Sequence, residues 1–171
     1  AGREERYTFA RIAELSRRLG SVLRARGLKM ADRCIVMLPR IPQWQVAMVG
    51  CLRVGVIPIP CIDMLTAKDV KFRVEHSGAV GAITTQANIA KFPDLRMRLV
   101  VGEDFDAALE AADPDCPPEH MAAEDPVAMY YTSGSTGNPK GVTHAARALH
   151  AWRFASRYWQ DLKLSDLMWC T

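Results

Sequence analysis

The sequence predicts an α/β fold with a mainly parallel sheet and helices on both faces. Two observations carry this: short apolar runs alternate with segments of helical period, and the first such run, Cys34-Ile35-Val36-Met37-Leu38, is apolar at every position. Strands that alternate with helices are joined by crossovers, which set them parallel, and a strand without a polar side is one covered on both faces. A third observation sets the scale: 171 residues, 49% of them hydrophobic, suffice for one sizeable core.

Taken in order, Phe9, Ile12, Ala13, Leu15, Leu19, Val22 and Leu23 recur near the helical period, predicting a helix from Thr8 to Arg26 with one buried face. Thr8 is its expected N-cap and Gly27 its end. After the strand Cys34–Leu38, stopped by Pro39, Ile41 to Val54 is a second helix and Val56 to Cys61 a second strand interrupted by prolines. Thr66 caps a helix running to His76, and Ala79–Thr85 is a strand; a weaker helical turn around Ala87–Phe92 precedes a strand at Arg98–Val101. The stretch Glu103–Asp125, rich in Ala, Asp, Glu and Pro, reads as one short helix and a surface loop. Then come a strand at Val127–Tyr131, a polar Gly-rich loop, and an amphipathic helix from about Ala145 to Trp159. Leu167 to Thr171 has the character of an opening strand, so the chain is expected to be a piece of a longer protein: residues 1–125 an α/β portion, residues 126–171 a strand, loop and helix.

The net charge of +3 comes from 22 basic and 19 acidic residues spread along the whole length, which gives no footprint for nucleic acid and suits an anionic small molecule. The five cysteines are odd in number, far apart and without zinc-ligand spacing, so free buried thiols in a reducing compartment are expected, and no metal site. The charged start lacks the apolar core of a secretory signal, and no apolar run approaches the ~20 residues that span a bilayer. The expected location is the cytoplasm, or the mitochondrial matrix for a eukaryotic source.

The chemistry is concentrated in Thr132-Ser133-Gly134-Ser135-Thr136-Gly137-Asn138-Pro139-Lys140-Gly141, directly after the Val127–Tyr131 strand. Gly134, Gly137 and Gly141 permit tight turns and a close approach of peptide N–H groups to a ligand. The hydroxyls of Thr132, Ser133, Ser135 and Thr136 donate to anionic oxygens, and Lys140 supplies positive charge; together they make a nest for a polyphosphate. A flexible linker has similar composition, but the preceding strand, the stiffening Pro139 and the placed lysine argue against one. A Walker loop needs Gly-Lys-Ser/Thr in succession, which Asn138 and Pro139 interrupt. The dinucleotide fingerprint fails on the spacing of the glycines.

The run from Tyr131 to Val142 closely resembles the signature loop of the adenylate-forming superfamily, which includes acyl-CoA synthetases, adenylation domains of non-ribosomal peptide synthetases, and luciferases. Pro39-Arg40-Ile41-Pro42-Gln43-Trp44, Gly50 to Gly55, Leu65 to Val70 and the closing Trp169-Cys170-Thr171 are similar to stretches of short- and medium-chain acyl-CoA synthetases. The resemblance implies a partial N-terminal AMP-binding domain of an enzyme that uses a small carboxylic acid, ATP with Mg²⁺, and coenzyme A. In that reaction the carboxylate attacks the α-phosphate to give an acyl-adenylate and pyrophosphate, and CoA thiolate then displaces AMP. The implied role of Thr132, Ser133, Gly134, Ser135, Thr136, Gly137 and Lys140 is to hold the β- and γ-phosphates, with Lys140 stabilising the charge that grows on pyrophosphate. Family members place the adenine site, acid pocket, hinge and a catalytic lysine further along, in the part expected to be missing, so this chain alone is expected to be inactive. Two alternatives stay open: a parent that loads an amino or aryl acid onto a carrier protein, and a non-catalytic phosphate-binding module.

His144, just past the loop near the start of the last helix, either reaches a phosphate or carboxylate or simply packs. His76, His120 and His150 show no partner in sequence and read as structural or surface residues. Trp152, Phe154, Tyr158 and Trp159 suggest a stacking platform, but the i, i+3, i+7 spacing of Trp152, Ala155 and Trp159 favours a face packed on the core, with Arg147, Arg153 and Arg157 solvated. No base accompanies Cys170, so it is not read as a nucleophile.

Overall fold

The structure, a computed structural model, describes residues 5–133, 137–163 and 165–166. Loop residues Gly134, Ser135 and Thr136, Cys170, and the strand expected at 167–171 lie outside these described residues.

Helix α1 spans Phe9–Ala25, and the Thr8 side chain caps it by accepting from the Arg11 N–H. Gly27, at φ +81°, turns the chain away. Leu19, Val22 and Leu23 are buried as the spacing predicts, but Phe9 is 96% exposed, and its neighbours Ala10 and Arg11 in the first turn are exposed too. Strand β1 (Arg33–Met37), helix α2 (Pro42–Arg53) and strand β2 (Ile57–Cys61) follow. Helix α3 (Ala67–Ser77) opens with a capping box in which Thr66 accepts from the Asp69 N–H and the Asp69 carboxylate accepts from the Thr66 N–H. Gly78, at φ +64°, ends it. Strand β3 (Gly81–Thr85), a short 3₁₀ turn at Ile89–Lys91, strand β4 (Met97–Val101) and helix α4 (Glu103–Ala111) complete this part. The first turn of α4 carries Glu103, Asp104 and Asp106, whose charge suits the positive end of the helix dipole.

The four strands form one parallel sheet in the order β2-β1-β3-β4. The central strand β1 explains the unbroken apolar run. Cys34, Val36 and Leu38 face a core shared with α1, α2 and α4, whereas Ile35 and Met37 face a second core with Val70 and Val74 of α3 and Phe92. Helices therefore cover both faces. The prolines of β2 are tolerated because of their phase. The Ile57 N–H donates to Asp32 O at 2.8 Å, so positions 58 and 60 point away from β1, where no ladder bond is lost.

That outer edge also limits the sheet, since Pro58 and Pro60 offer no N–H there. The chain continues instead as strand β5 (Pro126–Thr132), which packs beside β2, paired antiparallel with strand β6 (Lys140–Ala145) in a separate two-stranded sheet. Helix α5 (Ala146–Phe154) and a π-helical turn (Ala155–Trp159) come last. Two expectations are corrected here. The segment after the loop, read as leading straight into a helix, is first a strand. The expected core-packed face of the last helix is open among the described residues, with Trp152 41% and Trp159 90% exposed. The π turn takes more residues per turn than an α-helix, so it breaks the i, i+3, i+7 phase on which that face depended. Cys34, Cys51, Cys61 and Cys116 are free and buried, as expected.

Candidate functional site

The Gly-rich segment is the connection of the β5–β6 hairpin. Its register pairs Thr132 with Lys140, Tyr131 with Gly141, Tyr130 with Val142, Met129 with Thr143 and Ala128 with His144. Directly opposed residues share a face. Thr132, Lys140, Tyr130, Val142 and His144 therefore lie on one face, and Tyr131, Gly141, Met129 and Thr143 on the other. Met129 and Tyr131 pack against the core on the α3 side, which fixes which face is the rear.

At the mouth of the hairpin, Thr132, Ser133 and Lys140 are all exposed, and among the described residues none pairs with the Lys140 ammonium. Gly137 has φ +141°, a region that side chains disfavour, and a Cβ there would meet nothing within 4 Å among the described residues. The backbone path, then, and not crowding, calls for glycine at this position. Thr132, Ser133, Gly137 and Lys140 all lie in or at the ends of this one connection.

His144 is in β6, on the Lys140 face but about 13 Å along the strand from Lys140. Its ring lies edge-on to Tyr130 (centroids 5.4 Å apart) and to Trp152 (5.2 Å), so it links the hairpin to α5. Arg147, read from sequence as solvated, pairs with Glu124, and the Ala146 N–H donates to Asp125 O, so the start of α5 is tied to the segment before β5.

His76, for which no partner is visible in sequence, lies behind the hairpin. The Tyr131 hydroxyl and His76 Nδ1 share a hydrogen bond of 2.8 Å, and the Arg73 guanidinium sits 5.2 Å from the Tyr131 ring centroid. Burial raises the Tyr131 hydroxyl above its ordinary pKa, against the lowering influence of the Ser77 hydroxyl and Arg73. Fifty-five residues separate the partners, so no local signal announces the contact.

A cleft of about 330 Å³ lies elsewhere, between α1, α2 and α4, over Leu15, Val46 and Phe105. Within it Glu14 accepts from Arg11 at 2.9 Å and from Arg18 at 3.1 Å, and Arg18 also donates to the Ala112 carbonyl. Among the described residues no group of three or more His, Cys, Asp or Glu side chains is gathered to hold a metal ion. No helix there is long and apolar enough to cross a membrane.

A Gly- and hydroxyl-rich hairpin lies beside the parallel sheet, with a lysine at its mouth that is unpaired among the described residues, an arrangement chemically suited to an anion. The family model for AMP-binding enzymes matches residues 1–171, and the chain belongs to that family. Among its relatives, the mouse mitochondrial acyl-coenzyme A synthetase ACSM5 is 35% identical over 187 residues, covering 100% of this chain and 32% of the relative. The uncharacterised acyl–CoA ligase YtcI of Bacillus subtilis is 32% identical, covering 100% of this chain and 34% of the relative. The crystal structure of an acyl-CoA synthetase from Brucella canis superposes with a TM-score of 0.83 at 31% identity, over 94% of this chain and 32% of that one. This chain thus spans about a third of the length of the proteins it matches.

Proposed function

We propose that this chain is the phosphate-loop portion of an ATP-dependent acid–thiol ligase of the acyl-CoA synthetase kind. The observation that carries the reading is the hairpin register, which sets Thr132 and Lys140 opposite each other at the ends of the Gly-rich connection. The acyl-CoA synthetase relatives support it.

In this reading the substrate carboxylate attacks the α-phosphorus of ATP, the bond to the bridging oxygen breaks, and pyrophosphate leaves as the acyl-adenylate forms. Thr132, Ser133, Gly134, Ser135, Thr136 and Gly137 hold the β- and γ-phosphates through hydroxyls and N–H groups. The Lys140 ammonium stabilises the charge that develops on the leaving group. A fixed donor of this kind stabilises a transition state by about 2.7–4 kcal/mol, because it is already oriented where water would have to reorganise. CoA thiolate then attacks the acyl carbon and AMP departs. Mg²⁺, as counter-ion of the nucleotide, would neutralise part of the phosphate charge, and no described residue is assigned to it. His144 is a packing residue here, given its two ring contacts.

The adenine site, acid pocket and thiol-transfer machinery belong in this reading to a longer parent protein, and the chain alone is inactive. The proposed location is the cytoplasm, or the mitochondrial matrix for a eukaryotic source. The test is carboxylate-dependent ATP–pyrophosphate exchange by the full-length protein, followed by product analysis with CoA as acceptor. Transfer to a carrier protein and not to CoA would move the parent to the amino- or aryl-acid adenylating branch. ATP binding without exchange would leave a nucleotide-binding module.

A further inference from the structure

The rear of the hairpin is held by a compact group from the last turns of α3. Phe72 stacks on His76 with ring centroids 5.4 Å apart and 21° between planes, and both rings meet Tyr131 near edge-on, at 6.4 Å and 5.7 Å. The opposite stem reaches the same group. A Cβ built on Gly141 would lie 3.2 Å from Met129 Sδ, 3.5 Å from Tyr131 Cζ and 3.6 Å from His76 Cε1. His76 therefore hydrogen-bonds the residue just before the connection's first member, Thr132, and lies where a side chain would stand on the residue just after its last, Lys140. A two-stranded ribbon is marginal by itself, so its attitude is set by what it rests on. Because opposed pairs alternate faces, the grip on Tyr131 and Gly141 at the rear determines where Thr132 and Lys140 point at the front.

We propose that His76 is a positioning residue for the phosphate loop, clamping both stems of the β5–β6 hairpin to α3 through the Tyr131 hydroxyl and the bare face of Gly141. Phe72 orients the imidazole by stacking, and Arg73 holds the Tyr131 ring from the same helix. His76 does not touch the nucleotide; it acts through the two stems. The inference rests on the reading of Thr132–Lys140 as a phosphate loop, and its test is arranged so that the two can fail separately.

The experiment compares the full-length protein with His76→Ala, His76→Asn, Tyr131→Phe and the double variant His76→Ala/Tyr131→Phe. Two readouts are taken: KM for ATP against KM for the carboxylate in pyrophosphate exchange, and amide deuterium exchange of residues 130–142 against the β1 and β3 segments. His76→Ala should raise KM for ATP about three- to tenfold, the effect of one hydrogen bond of ordinary strength, with KM for the carboxylate unchanged. Deuterium exchange should rise in the hairpin and not in the sheet. His76→Asn, whose side-chain amide puts a polar atom near the place of Nδ1, should restore both readouts. The double variant should be no worse than His76→Ala alone. Unchanged hairpin exchange in His76→Ala, equal rises in both KM values, or no recovery with asparagine would each overturn the clamp. Should the wild type exchange pyrophosphate with no acid, the ligase reading falls, and hairpin deuterium exchange still decides the clamp.

Discussion

The crossing of α1 and α2 gives a quantitative test of the core. A Cβ placed on Gly50 would lie 2.8 Å from Leu19 Cδ2 and 3.0 Å from Leu19 Cβ and Cγ, while Leu19 itself is fully buried. Leu19→Ala removes the atoms that fill this crossing and should cost about 3 kcal/mol, the sum of lost transfer energy and a residual cavity. Gly50→Ala gains about 1 kcal/mol of helix propensity but forces a methyl group against Leu19 at an overpacking cost of about 2 kcal/mol, a net loss near 1 kcal/mol. In the double variant the new methyl keeps its 3.0 Å approach to the Cβ at position 19, loses those to Cγ and Cδ2, and fills part of the cavity. The pair should then cost about 2.5 kcal/mol where additivity gives about 4, a coupling of about 1.5 kcal/mol. Urea unfolding of the four chains, followed by circular dichroism, measures all three differences. Additive losses, or a stabilising Gly50→Ala, would refute the close-crossing argument.

Two further outcomes are expected. Burial pushes the Cys61 thiol up to about 11, despite Arg73, against an ordinary value of 9.0. Because the folded value is the higher one, the neutral thiol's contribution is complete below pH 9 and is lost as pH rises to about 11. The expected loss is roughly 2–3 kcal/mol, and Cys61→Ala should flatten the curve of stability against pH in that window. Thr66→Ala removes the acceptor for the Asp69 N–H and should lower stability by about 1 kcal/mol, with faster amide exchange confined to the first turn of α3.

Much of the parallel sheet was legible because its signals are local. Thr8 and Thr66 announce helix starts, Gly27 announces an end, and the fully apolar Cys34–Leu38 run announces a strand covered on both faces. Strand β6 was not legible: Lys140, Gly141 and His144 give it weak strand character, and it forms only because β5 lies beside it. For the candidate site, the loop composition singled out Thr132, Ser133, Gly137 and Lys140, but nothing in sequence linked them to His76, Arg73 or Phe72. Those contacts depend on how α3 packs against the hairpin. The exposure of Trp152 and Trp159 was equally hidden, because the π turn at Ala155–Trp159 shifts the phase of the helix after the spacing has been read.

The central claim is that the hairpin with Lys140 serves ATP-dependent activation of a carboxylate, and pyrophosphate exchange tests it most directly. Exchange by the full-length protein, measured across short, medium and aromatic acids, should require a carboxylate and fall by about two orders of magnitude in Lys140→Ala, the loss that follows removal of one transition-state contact. Measurable ATP binding without exchange for any acid, or exchange undiminished in Lys140→Ala, would contradict the account.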